Sequence, residues 1–411
     1  MSNTILTPSM ITKDALIVIE NNLTFTRQVN RDYSDEFAVA GAKIGNTVNV
    51  RRPARYVGTT GPALNVEAHN ETSMPVTLTT QFHVDVQFSS QDLTLSLDDF
   101  TERVSGPAVA TIANKIDRDG IVMGYQNTAN AVGTAGTIPS ALTVFTEAGA
   151  YLDSEGAPRD GKRAMVIDPW CQASMADYLK GLYNPQEKIS DVYESGEILG
   201  KHIGFSWFMD QNVASHTVGP LGGTPLVNGA SQGITSGWAS TTDLVTDGWT
   251  AAAASRLKKG DTFTIAGVYG VNPQNRQSYG KLRKFVVTAD VSSDSSGNAT
   301  ITISPAIISG GQFQNVSAAP ADNAALTITG AANTVTPQHL AFHRNAFTIA
   351  SADLEMPQGV HFAARVASKK LGLSLRCVRQ YTINNDALPA RFDVLYGWSP
   401  LYTEHACRVY G

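Results

Sequence analysis

The sequence predicts an α+β chain into which a small antiparallel β-domain is inserted. Three observations predict it. Residues Ser96–Gln126 carry a long amphipathic pattern, with Leu97, Phe100, Val104, Ala108, Ile112 and Ile116 at helical steps of three and four. On both sides of that stretch, short runs alternate apolar and polar residues, the period-two signature of strands. After about residue 217 the composition shifts toward Gly, Thr and Ser, and short strand patterns separated by turn clusters follow until mixed character resumes near residue 344.

Taken in order, residues 1–45 read as an arm with one short helix, on which Leu16, Ile19 and Leu23 share a face and Thr12 is a candidate cap. The arm is too small for a core of its own and must pack on something else. Residues 46–92 read as an extended hairpin. Thr47–Arg52 alternates, Val76–Ser89 alternates again through Leu78, Phe82, Val84, Val86 and Phe88, and Gly58–Met74 forms the tip. Its edges are exposed unless a partner covers them. Arg51, Arg52 and Arg55 near its base leave two readings open: a solvated basic strand, or docking onto an acidic neighbour. Residues 93–138 hold the spine helix. Ser96 caps it, with Asp98 and Asp99 at the positive end. It is about 45 Å long if continuous, and Pro107 is expected to kink it.

Residues 139–219 alternate strand and helix. Lys162–Ile167 reads as a buried strand, Asp168-Pro169 as a turn, Ala173–Leu182 as a helix and Gly200–Met209 as a strand. Thr217–Thr250 reads as linker or loop. Asp261–Val268, Lys284–Val291 and Ala299–Ser304 read as short strands of a small barrel or sandwich spanning 220–343. Residues 344–411 return to the first architecture, with Phe347–Ala350, Pro357–Ala367, Ser374–Asn384 and Arg391–Tyr396 strand-like. No repeat recurs at a fixed period.

The totals narrow the function classes. The chain has 411 residues, 31 basic and 36 acidic side chains and a formal charge of −5, which gives no global nucleic-acid footprint. Charged residues are 16%, below the roughly 25% usual for soluble domains, which suits strands, tight turns and broad neutral contact surfaces. Cys171, Cys377 and Cys407 are odd in number and scattered, arguing against a disulfide framework and for a reducing compartment during synthesis. The N-terminal apolar run Ala15–Ile19 is too short for a signal peptide, and no stretch approaches a membrane span.

Candidate chemistry is thin. Gly156–Lys162 has phosphate-loop spacing, but Arg163 stands where Ser or Thr must hold magnesium, and the segment precedes a strand instead of following one. His339 and His343 are four apart, but Leu340 stands where a zinc protease needs Glu, and the pair reads as structural. Asp35-Glu36 reads as solvated. The basic run Arg365, Lys369, Lys370, Arg376 and Arg379 reads as a solvated face, with phosphate or a neighbouring subunit as the alternative. No catalytic, cofactor-binding or metal residue is assigned.

Several phrases carry a family resemblance. Leu257-Lys258-Lys259-Gly260-Asp261 followed by Phe263–Val268, Leu340–Phe347, Val166-Ile167-Asp168-Pro169 before a helix, and Val109–Ile116 occur in the order arm, hairpin, spine, α+β domain, insertion and return strands. In this the chain resembles the major capsid proteins of tailed double-stranded DNA phages, with the Hong Kong 97-type fold, and specifically the short-tailed phage branch that carries an inserted β-barrel. The resemblance implies an arm, an extended loop, a spine helix, an axial domain and the insertion. It implies identical subunits in hexamers and pentamers closing an icosahedral virion shell around packaged double-stranded DNA. Assembly would run in the host bacterial cytoplasm through a procapsid built with scaffolding and portal proteins, followed by expansion, with no membrane involved and no bond made or broken. A cellular nanocompartment shell of the same fold would not be expected to carry the insertion. An enzyme with an accessory β-domain would need a convergent acid, base, nucleophile or metal set. A fibre or adhesin is disfavoured by the long helix.

Overall fold

In a computed structural model the chain divides into two compact units. One comprises Met1–Val50, Pro75–Gly120 and Phe347–Ser399; the other comprises Arg51–Met74, Ile121–Ala346 and Pro400–Gly411. The structure describes residues 17, 23–33, 45–89, 106–179, 201–368, 372–384 and 386–411. The expectations for Thr12, Leu16, Ile19, Asp35-Glu36, the cap at Ser96 with Asp98 and Asp99, Lys369 and Lys370 lie outside the described residues.

The first unit is built on a five-stranded sheet. The strand Ala387–Pro400 is flanked by Leu373–Arg379 and Thr80–Ser89, with Phe362–Ser368 and Phe347–Ala352 completing the sheet. Leu375, Phe392 and Val394 are buried from it, as alternation requires. The expected single return strand of the hairpin, Val76–Ser89, is two strands. Thr72–Thr77 pairs with Thr47–Arg52, whereas Thr80–Ser89 pairs with Ala387–Tyr396. Periodicity continued across the break because Val76 and Leu78 are both buried, so the side chains hid the change of partner. Gly397 makes the crossing possible: a Cβ there would lie 2.0 Å from the Thr77 carbonyl oxygen.

The helix Gly106–Asn127 buries Ala108, Val109, Ile112, Ala113 and Ile116, the predicted stripe within the described residues. Pro107 lies in its first described turn; the kink expectation depends on residues outside those described. Helix and sheet are tied by polar contacts. The Trp398 Nε1–H donates to the Ile116 carbonyl at 3.2 Å, and the Tyr396 hydroxyl donates to Asp119 at 2.7 Å. Residues 23–33 pack inside this unit. Phe25 is fully buried, 5.5 Å from the Trp398 ring and 6.1 Å from that of Phe347. Asn30 bridges Thr348 beside the sheet. The short helix Phe25–Gln28 has no side-chain cap of its own. Instead the buried carboxylate of Asp117, on the long helix, accepts the amides of Thr24 (2.6 Å), Phe25 (3.2 Å) and Thr26 (3.0 Å) and the Thr26 hydroxyl.

The second unit contains two sheets of six strands. One is mixed, in the order Ala131–Val132, Ala406–Val409, His339–His343, Arg163–Ile167, Phe205–Met209, Lys201–His202. The helices Leu142–Ser154 and Pro169–Leu179 supply Phe145, Ala148, Leu152, Cys171 and Met175 to its core. The Phe145 and Trp207 rings meet edge-on at 4.9 Å. The other sheet is antiparallel, in the order Leu326–Ile328, Thr262–Val271, Ser278–Val287, Ala299–Ser304, Thr242–Trp249, Gly223–Val227. Its end strands are themselves joined: Leu226 bridges Ala325, and the Val227 amide donates to the Ala324 carbonyl at 3.0 Å. Phe263, Phe285, Leu244, Ile301 and Ile303 fill it.

Thr217–Thr250, expected as linker, thus contains two strands of this sheet. A Thr- and Gly-rich strand can still be buried when its polar groups are paired. Thr246 is fully buried, with its hydroxyl donating to the Ala299 carbonyl and accepting from the Trp249 indole. The chain enters and leaves the second sheet along one ribbon, Ser215–Thr217 paired with Val335–Pro337. Asp261 fixes the entry by accepting from His216 Nε2 (2.7 Å) and from the amides of Gly219 (3.0 Å) and Lys258 (2.8 Å). Arg408, fully buried, donates to the carbonyls of Thr128 (2.9 Å) and Gly260 (2.7 Å), joining the helix end, the strand Ala406–Val409 and the approach to the antiparallel sheet. Cys171, Cys377 and Cys407 are free and buried.

Candidate functional site

The loop between Arg52 and Thr72 exposes four large apolar side chains. Leu64 is 90% exposed and Val66 80%, with Tyr56 and Val57 also exposed. The loop is nevertheless internally fastened. Glu67 accepts the amides of Val57 (2.7 Å) and Gly58 (2.5 Å), and those bonds hold its carboxyl below the usual range. Tyr56 Oη lies 2.6 Å from His69 Nδ1. Contacts to loops of the six-stranded antiparallel sheet hold the loop's position: Arg276 donates to the Tyr56 carbonyl at 2.7 Å, and the Gln312 amide donates to the Ala68 carbonyl at 2.7 Å. A shaped loop that presents two large aliphatic side chains to water is suited to docking. Covering each would contribute about 1.5–3 kcal/mol.

The loop's base meets a partly buried charge cluster. Arg52 and Arg55 both pair with Glu404 of the same chain, whereas Arg51 is solvated and lies 3.5 Å from Glu71. Arg52 also lies over the Tyr402 ring at 4.5 Å. Nearby, Arg283 pairs with Glu155, and the Tyr279 hydroxyl donates to the same carboxylate at 3.1 Å. Burial pushes Glu155 up, against the pull of Arg283. Burial also pushes Glu404 up, but Arg52, His405 and Arg55 overcome it and hold it at about 2. Burial lowers both His405 and His339 to about 4.

These shifts fix the sign of the acid response. Below the ordinary histidine value of 6.5 the unfolded chain takes up protons that His339 and His405 refuse until about 4, so stability falls as pH drops through that window. Glu404 adds a second loss between 4.5 and about 2, because its folded value lies below the unfolded one. Melting temperature measured against pH is expected to show both limbs, and Glu404→Gln is expected to flatten only the lower one. A variant curve parallel to the parent's below pH 4.5 would contradict the assignment.

The motifs noted in the sequence fall elsewhere. Gly156–Lys162 follows the helix Leu142–Ser154 and precedes the strand Arg163–Ile167, with Arg159 and Arg163 both paired to Asp153. His339 and His343 lie on one buried strand. His339 Nδ1 accepts the Asp168 amide at 3.3 Å, and His343 Nε2 lies 3.0 Å from Asp160. Sequence spacing missed that Asp168 and Cys171 gather around His339. Their bonding is that of a helix cap: Asp168 accepts the Cys171 amide at 2.6 Å, and Pro169 opens the helix. Burial raises the Cys171 thiol well above its ordinary value. In the basic run, Arg376 pairs with buried Asp393 and Arg365 with Asp353. No helix among the described residues is long and apolar enough to cross a membrane.

Comparison with known proteins gives the following similarities. The family model described as P22 coat protein, gene protein 5, matches residues 2–406. A major capsid protein of Acyrthosiphon pisum secondary endosymbiont phage 1 is 23% identical over 281 residues, covering 66% of this chain; the match spans 65% of that relative's own length. Among solved structures, one from Mycobacterium phage Che8 aligns over 94% of this chain and 90% of its own, at 12% identity and a TM-score of 0.44. One from the asymmetric unit of the bacteriophage PhiM1 mature capsid aligns over 90% and 82%, at 12% identity and a TM-score of 0.44.

Proposed function

The chain belongs to the P22 coat protein family, and from that premise we propose that it is the shell-forming subunit of a phage head. Its work is assembly, with no catalytic step and no cofactor. The fold is read as the Hong Kong 97-type, with the arm, the extended loop, the long helix and the mixed sheet as its parts and the six-stranded sheet with joined ends as the inserted barrel. The domain limits follow the sequence: 1–45, 46–92, 93–138, 139–219, 220–343 and 344–411. Partners are copies of the same chain in hexamers and pentamers, a scaffolding protein, a portal protein and, inside the finished shell, double-stranded DNA held without sequence preference. Assembly takes place in the host cytoplasm and the product is the virion capsid. Expansion is a shift between two packings of one subunit, with the extended loop and the helix near Pro107 as moving parts.

The observation that carries this reading beyond family membership is the loop itself. It is held in shape by Glu67, Tyr56 and His69 while Leu64 and Val66 stay exposed. Side chains that exposed contribute almost nothing to an isolated subunit, so a neighbour must be what they serve. Leu64→Asp combined with Val66→Asp is therefore expected to leave the subunit's melting within about 0.5 kcal/mol of the parent. Co-expressed with a matching scaffolding protein, the parent is expected to form closed shells under the electron microscope and the double variant to stay as free subunits. Intact shells from the double variant would refute the role given to the loop.

A further inference from the structure

Beneath the extended loop, in the same compact unit, lies a cavity of about 180 Å³ lined by Arg52, Arg55, Arg283, Glu155 and Glu404. That is several times the roughly 30 Å³ share of one water in the liquid. Three guanidinium groups face two carboxylates there, a surplus of one positive charge, and no third carboxylate lines the space among the described residues. The groups are mutually close: Glu404, Arg52, Glu155 and Arg283 all act on Arg55. Arg283 is only 3% exposed. Its Nη1 is engaged by Glu155, whereas its Nε–H is buried with no partner among the described residues. A buried donor left unpaired costs about 1–3 kcal/mol, more when charged.

Nothing in the assembly role requires this arrangement. A subunit that needed only internal pairing would be better served by matched charges, because desolvating an extra cation is expensive. A planar guanidinium offers paired donors that match the oxygen spacing of phosphate and carboxylate. We propose that this cavity is a binding site for a small oxyanion of the phosphate class, which enters beside Arg55 and takes bonds from Arg55 and Arg283. Arg52, stacked on Tyr402 and engaged by Glu404, forms the fixed wall.

The test uses the full-length chain and inorganic phosphate as probe, in chloride buffer at constant ionic strength. Isothermal titration is expected to show saturable one-to-one binding, with matching broadening of the phosphorus resonance. Arg55→Gln leaves Glu404 paired to Arg52 and is expected to weaken binding about tenfold or more. The double variant Glu155→Gln with Arg283→Met removes the buried pair together, so that no lone charge is stranded, and is expected to abolish binding with an unchanged circular dichroism spectrum. Absence of saturable binding to the parent overturns the proposal. So does equal affinity in Arg55→Gln, which would mark the phosphate as an adventitious ion only.

Discussion

Arg283→Met is expected to destabilise the second unit by about 3–5 kcal/mol, measured by urea unfolding at neutral pH. The substitution keeps most of the side chain's volume and removes its charge. Glu155, 4% exposed, then loses its counter-ion and keeps only the Tyr279 hydroxyl. Burial already pushes this carboxyl up, so without Arg283 it rises further and the penalty falls on the ionised form. A raised folded value means stability is retained below the unfolded value of 4.5 and lost as pH rises through the folded one. The defect should accordingly be larger at pH 7.5 than at pH 4.5. Adding Glu155→Gln is expected to restore most of the loss, because removing both charges removes the uncompensated one. A defect independent of pH, or one that the second substitution deepens, would show that lost packing governs instead.

The second large effect concerns the arm. Asp117→Asn is expected to cost about 3 kcal/mol, since hydrogen bonds to a charged acceptor contribute about 1.5–3 kcal/mol each and an amide presents one acceptor oxygen instead of two. One side of the Asp117 carboxylate serves the Thr24 and Phe25 amides, and the other serves the Thr26 amide and hydroxyl. Either orientation of the asparagine therefore sets an NH₂ group against donors. The visible consequence should be local before it is global. Limited trypsin digestion is expected to cut after Arg27 in the variant at concentrations that leave the parent whole. Equal protection in both would mean that Phe25, packed on Trp398, holds the arm without the carboxylate.

What could be read from the sequence followed from local periodicity. The stripe through Ala108, Ile112 and Ile116 is buried as the three-and-four spacing requires. Leu244 and Thr246 alternate correctly too, but Gly and Thr around them read as linker, and only the hydroxyl's bond to Ala299 explains why a threonine is buried there. The interactions that fix the candidate site were invisible because they join distant residues. Glu155 and Arg283 are 128 positions apart, and Arg52 and Glu404 are 352 apart. Asp117 did leave a signal. It lies four residues after Ala113 and four before Ile121, both buried, a place where a carboxylate needs partners. Leu64 and Val66, in a run without periodicity, carried no sign of being presented outward.

The central claim is that this chain completes itself on its neighbours through the extended loop. Cryo-electron microscopy of shells formed by the chain co-expressed with a matching scaffolding protein tests it most directly. The account predicts Leu64 and Val66 buried against an adjacent copy in every hexamer and pentamer. Closed shells in which both side chains remain in solvent would contradict it.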